Sequence, residues 1–167
     1  RLSKATRQRL EYVGRQNVTV IEIDLLQGRS GDVLHSDTYQ RIMALINSGR
    51  CMGVWMAPPC ASWSSSRRHD DFKGAPPLRS RDHVMGVPNP TARQRRSVQT
   101  ANALMSRCYD FAASCILNNV PFAIENPLKS LVWDASQFQH LSKLPRVMTA
   151  RYDFCEYGEE YQKATKI

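Results

Sequence analysis

Met52-Gly53-Val54-Trp55-Met56-Ala57-Pro58-Pro59-Cys60 sets the architecture of this chain. A short apolar run is stopped by two prolines, as expected of a buried strand that cannot continue. Further on, Pro121-Phe122-Ala123-Ile124-Glu125 repeats the pattern and closes at Asn126-Pro127. Between them, Thr91 is placed to cap a helix running to about Leu117. Ala101, Leu104, Met105, Cys108, Phe111, Ala112 and Cys115 then fall at steps of three and four on its buried face. Strand, helix, strand is the repeating unit of a parallel α/β sheet.

Around this unit the same alternation is predicted. Val18-Thr19-Val20-Ile21-Glu22-Ile23-Asp24 is β-branched and reads as a buried strand ending at acidic residues. Asp37 is expected to cap a helix from Thr38 to about Asn47, with Ile42, Leu45 and Ile46 on one face and Gly49 as its stop. Thr6–Val13 is helix-like; a short helix near Ser136–Lys143 and a strand near Val147–Phe154 complete the series. The stretch Ser66–Pro90 is polar, aperiodic and rich in Arg and Pro, so a long surface loop, poorly ordered without a partner, is expected there. No internal repeat is visible.

The length of 167 residues fits a single domain able to bury its own core. With 42% apolar and 23% charged residues, the composition excludes a disordered tail, a collagen and a coiled coil. No apolar run approaches the span of a membrane helix, and no secretory signal opens the chain. The first residue is not methionine, so the chain reads as a piece of a longer polypeptide. The 23 basic against 15 acidic residues give a net charge of +8, which favours a polyanionic partner, nucleic acid first and acidic membrane second, with a solvated basic surface as the bland alternative. The five cysteines Cys51, Cys60, Cys108, Cys115 and Cys155 are odd in number and lack a Cys-x-x-Cys pair. They suggest neither a disulfide framework nor a metal site, and point to a reducing, intracellular compartment, nucleus or cytoplasm.

In parallel α/β sheets ligands bind at the carboxyl ends of the strands. Three chemically loaded spots fall there: Glu22/Asp24, Pro58-Pro59-Cys60 and Glu125-Asn126-Pro127. The prolines make the turn before Cys60 rigid and present its thiol in one direction. Cysteine is intrinsically a strong nucleophile, and Arg67, Arg68 or free backbone N–H groups would activate it. A small buried core thiol is the alternative for Cys60, as it is the reading for Cys108 and Cys115 on the apolar helix face. Glu125, at the end of an apolar strand, is expected to keep its proton near neutral pH through burial and to donate a hydrogen bond. A cap or a structural hydrogen bond is the bland alternative.

Ala57-Pro58-Pro59-Cys60-Ala61-Ser62-Trp63-Ser64 resembles the Pro-Cys motif of DNA (cytosine-5) methyltransferases, in which the cysteine is the nucleophile. Pro121-Phe122-Ala123-Ile124-Glu125-Asn126-Pro127 is similar to that family's Glu-Asn-Val motif. Gly31-Asp32-Val33-Leu34 resembles its Gly-Asp-Ile segment. The resemblance covers roughly Val18 to Leu131. It implies a Rossmann-like, three-layer class I methyltransferase fold, incomplete at its N-terminal end, since the family's Phe-x-Gly-x-Gly strand would lie upstream of Arg1. It also implies S-adenosylmethionine as cofactor, approached by Glu22 or Asp24, Asp32, Pro58 and Pro59, with Cys60, Glu125 and Asn126 catalytic.

The implied reaction is methylation of cytosine C5 in DNA, or in RNA, through a covalent Cys60 adduct to a base taken out of its stack. Ser62, Ser64, Arg67, Arg68, Arg95 and Arg96 are the nucleic-acid contacts expected, with Lys73, Arg79, Arg81 and Arg93 adding to the basic surface. Two other readings compete. One is an inactive nucleic-acid-binding remnant of the same fold. The other is a cysteine hydrolase using Cys60 with His35, His69, His83 or His140.

Overall fold

The computed structural model describes residues 2–15, 17–64, 76–157, 160 and 163–167. It divides the chain into two compact units, Arg1–Tyr39 and Gln40–Ile167. The Ser66–Pro90 stretch is therefore described only from residue 76 onward, and Arg67, Arg68, His69 and Lys73 lie outside the described residues.

In the first unit, α1 spans Leu2–Tyr12. Arg7 on this helix donates to the Val20 carbonyl at 3.4 Å and lies 3.9 Å from the Glu22 carboxylate. The strand expected over Val18–Asp24 does not form: the segment carries no ladder, and Ile21 is 56% exposed. β-Branched residues favour a strand only where a neighbouring strand receives them, and the described residues of this unit form none. Instead Asp24 caps a 3-10 turn over Leu25–Gly31, kinked at Gly28, where φ is +76°. Gly31 packs against the Asp24 backbone so closely that a Cβ would collide with the Asp24 carbonyl. Thr38 Oγ1 donates to the Arg29 and Ser30 carbonyls and holds this turn from the start of the next helix.

That helix, α2, is Ser36–Asn47, so Asp37 lies inside its first turn and does not precede it. Ile42 and Ile46 are buried, while Leu45 remains 37% exposed.

In the second unit, β1 (Val54–Met56) and β2 (Phe122–Ile124) pair in parallel, with Met56 opposite Ile124. The long α3 (Ala92–Leu117) connects them in sequence. Its N-terminus carries a reciprocal capping box: Thr91 Oγ1 accepts from the Gln94 N–H, and Gln94 Oε1 accepts from the Thr91 N–H at 2.8 Å. Such a pair satisfies two of the N–H groups every helix start leaves open. Met105, Cys108, Phe111, Ala112 and Cys115 are buried in the order the spacing predicts; Ala101 and Leu104 sit at the edge of the buried stripe. At the other end of α3, Ser114 Oγ donates to Asn47 Oδ1 at 2.7 Å, and Asn118 donates to the same oxygen at 2.8 Å.

After β2 the chain forms β3 (Asn126–Pro127), a 3-10 turn over Leu131–Asp134, and α4 (Ser136–Leu141). β4 (Arg151–Asp153) is shorter than the strand expected over Val147–Phe154. It joins β5 (Ala164–Lys166) and β3 in a second sheet of order β3-β5-β4, antiparallel throughout. Among the described residues the strands thus form a parallel pair and a three-stranded antiparallel sheet. Residues 76–90 form no helix or strand and are mostly exposed or half-buried, as expected of a surface loop, but the segment is anchored at two buried positions. Leu78 and Arg79 are buried, the Val87 N–H donates to the Leu78 carbonyl, and Gly86 lies against Val98.

Candidate active site

The carboxyl ends of β1 and β2 lie side by side because the strands are parallel and in register. The Glu125 N–H donates to the Met56 carbonyl at 2.8 Å, extending the ladder one residue beyond the strands. One residue further, Asn126 Nδ2 donates to the Pro58 carbonyl at 3.1 Å. Pro59 restricts the backbone of the residue before it, which limits where the Pro58 carbonyl can point. The two motifs, remote in sequence, are thereby stitched together. Asn126 is 2% exposed, and among the described residues its buried Oδ1 has no hydrogen-bond partner. Glu125 is half-buried, as is Cys60.

Cys60 opens a turn closed by the Trp63 N–H donating to the Cys60 carbonyl at 2.8 Å. The Trp63 carbonyl in turn accepts from the Leu131 N–H at 3.0 Å, which ties the turn to the segment following Glu125-Asn126-Pro127. Trp63 is 1% exposed, and its ring is covered by the Arg79 guanidinium, 3.3 Å from the ring centroid. Arg79 gives its donors to Ser62 Oγ at 3.1 and 3.3 Å, to the Val84 carbonyl and Asn102 Oδ1 at 2.8 Å each, and to the Val98 carbonyl at 3.3 Å. Burial pushes its pKa down to about 10, which leaves it charged at neutral pH.

The sequence reading placed Arg79 among phosphate-binding cations. At 3% exposure it is instead an interior residue. Nothing in a Pro- and Arg-rich stretch announces this, because the burial comes from Trp63, Ser62 and α3. Ser62, expected at the nucleic acid, is 4% exposed with its oxygen accepting from Arg79. Ser64 is half-buried. Arg81, Arg93, Arg95 and Arg96 are exposed, the last three on the first turns of α3.

The residues implied for the cofactor are divided between the two units. Glu22 faces Arg7, Asp24 accepts from the Leu26 N–H at 2.8 Å, and Asp32 accepts from the Leu34 N–H at 2.9 Å. Each aspartate already caps a backbone turn. Pro58 and Pro59 belong to the second unit. The assignment of S-adenosylmethionine to these five residues rests on the resemblance.

A cleft of about 640 Å³ lies elsewhere in the second unit, lined by Phe122, Ile124, Phe138, Leu141, Met148 and Lys166 among others. Cys60, Glu125 and Asn126 are not part of it. Of the histidines proposed as partners for Cys60, His35 is in the first unit and accepts from Arg29 Nε at 2.7 Å, while His83 and His140 are exposed. Among the described residues no hydrogen bond joins a histidine to Cys60, and no group of three or more His, Cys, Asp or Glu is placed to hold a metal. No helix is long and apolar enough to cross a membrane among those residues.

No protein-family profile, curated protein or solved structure matches the chain.

Proposed function

We propose that this chain is the catalytic segment of a Rossmann-like cytosine-5 methyltransferase acting on DNA, with Cys60 as nucleophile. The observation that carries this reading is the Asn126–Pro58 hydrogen bond at 3.1 Å. It holds the cysteine turn against the Glu-Asn segment at the adjoining ends of two parallel strands, where α/β proteins place their reacting groups.

The chain's own chemistry begins with the Cys60 thiolate, whose electron pair forms a bond to cytosine C6. The C5–C6 π pair moves onto C5, and the negative charge spreads through the ring toward N3. Proton donation from Glu125 to N3 would offset that charge where it develops. Asn126 keeps the Pro58-Pro59-Cys60 backbone at a fixed distance from Glu125, so nucleophile and donor are oriented before the base arrives. S-adenosylmethionine, when bound, supplies an electrophilic methyl group for C5. Departure of the C5 proton to solvent, and of Cys60 with the S–C6 pair, restores the ring and the free thiol.

The test needs no methyl donor. An oligodeoxynucleotide carrying 5-azacytosine, whose C6 is more electrophilic than that of cytosine, is incubated with the protein. Intact-mass analysis and peptide mapping then locate the adduct. Attachment at Cys60, absent in Cys60→Ser, is the expected result; attachment elsewhere or nowhere rejects the nucleophile. Binding of the oligonucleotide without any adduct would favour the second reading, an inactive nucleic-acid-binding remnant. That reading draws on the aspartates proposed for the cofactor, both of which already hold backbone N–H groups. An RNA oligonucleotide of the same sequence, run in parallel, decides between the two nucleic acids.

A further inference from the structure

Arg79 is a buried cation, and among the described residues its acceptors are all neutral: one hydroxyl, one side-chain amide and two backbone carbonyls. Among the described residues it makes no ion pair. Removing a charge from water without an opposite charge is costly, and an apolar side chain of similar volume often serves packing alone as well or better. What an apolar side chain cannot do is reach several segments at once. The planar fork of arginine can, because its five N–H donors point in fixed directions. Here the fork joins the turn after Cys60 through Ser62, the 76–90 segment through Val84, and α3 through Val98 and Asn102. Its flat face lies on Trp63, the residue that closes the Cys60 turn.

The cysteine turn is therefore held on both flanks. Asn126 holds it before Cys60, at Pro58. Arg79 holds it after Cys60, at Ser62 and Trp63. We propose that Arg79 is a positioning residue for the Cys60 reaction: by clamping Ser62 and Trp63 to α3 it fixes the direction from which the thiol reaches the base. The proposal rests on Cys60 being the nucleophile. Arg79 touches no substrate atom in this scheme; it acts only through the turn.

The clamp predicts a split between binding and reaction. Phosphate contacts come from exposed cations elsewhere, so affinity for an oligonucleotide with ordinary cytosine stays as in the parent protein. The rate of adduct formation with the 5-azacytosine oligonucleotide falls, since displacing a reacting group by about 1 Å can cost on the order of a hundredfold. Arg79→Lys, Arg79→Met and Ser62→Ala are compared at a temperature where near-ultraviolet circular dichroism shows each to be folded. The expected order of rates is parent, then Arg79→Lys, then Arg79→Met, with Ser62→Ala also slowed and affinity constant throughout. Partial rescue by lysine, which keeps the charge but not the fork, is the sign of positioning. If Arg79→Met does not fold, Arg79→Lys and Ser62→Ala carry the test. Parent-like rates in folded variants would overturn the clamp. If the parent protein forms no adduct at Cys60, the functional reading has failed by itself. Alkylation of Cys60 by iodoacetamide then decides the clamp: a rate altered by Arg79→Lys or Ser62→Ala sustains it, and an unaltered rate overturns it.

Discussion

At the scale of single residues, the proposed reaction divides one task among the thiol of Cys60, the carboxyl of Glu125 and the amide of Asn126. Cys60→Ser keeps the shape of the turn but replaces a thiolate with a hydroxyl that is scarcely ionised near neutral pH, so adduct formation is expected to vanish while oligonucleotide binding persists. Glu125→Gln retains one N–H donor for the ring and is expected to slow the reaction less completely. The two variants, measured side by side in the 5-azacytosine assay, separate nucleophile from hydrogen-bond donor; equal losses would contradict the division. The adjacency of the Pro58-Pro59 turn and the Glu125-Asn126 segment was legible in the sequence because it needs only two strand ends and a parallel connection. Arg79 was not legible. A single letter in a basic loop carries no sign that a tryptophan sixteen positions earlier, a serine and a helix will enclose it. The strand expected to end at Glu22 and Asp24 is missing for a related reason: β-branched residues do not make a strand where no partner strand receives them.

At the scale of elements, α3 is the part of the fold the sequence specifies best, since capping, periodicity and length all agree. Thr91→Ala removes the hydroxyl that accepts from Gln94 and is expected to destabilise the protein by about 1 kcal/mol. A thermal melt monitored at 222 nm would read this as a loss of about 2–4 °C for a chain of this length, and an unchanged midpoint would show that the cap does not contribute. The buried face of the same helix makes a pH-dependent prediction. Burial raises the Cys108 thiol from its ordinary 9.0 to about 12, and burial aided by Cys51 raises Cys115 to about 11. In the unfolded chain both ionise first, so the native state binds more protons between pH 9 and 11 and stability falls as pH rises through that window. Each thiol contributes a slope of up to about 1.4 kcal/mol per pH unit. Arg79 acts in the opposite sense, but only above its lowered pKa of about 10, which leaves pH 9–10 as the cleaner interval. Urea unfolding at pH 8.5, 9.5 and 10 should show the midpoint dropping. Cys108→Ala should flatten that trend, and a parallel slope in the variant would refute the assignment.

At the scale of the whole molecule, a net charge of +8 is a statement about association, not about fold. The structure sorts the cations that produce it. Arg79 is interior, Arg107 lies 3.7 Å from Asp110, and Arg7 faces Glu22. Arg93, Arg95 and Arg96, by contrast, stand exposed together at the start of α3, within a few residues of Val98 and Asn102, where the Arg79 clamp attaches. Cations gathered there would hold the phosphates of a strand whose base is presented to the turn that the clamp fixes. Each phosphate neutralised releases condensed counterions, so the logarithm of the binding constant should fall linearly with the logarithm of salt concentration. The slope should flatten by about 0.7–0.9 for each contact removed. Arg95→Gln with Arg96→Gln is therefore expected to weaken binding and reduce the slope by about twice that amount, to similar extents for oligonucleotides of unrelated sequence, because phosphates carry no sequence information. Fluorescence anisotropy across a series of salt concentrations measures both quantities. A double variant whose affinity drops with an unchanged slope would mean that these arginines act through the fold and not through phosphate. A slope near zero in the parent protein would remove the electrostatic basis for a nucleic-acid partner, whatever Cys60 proves able to do.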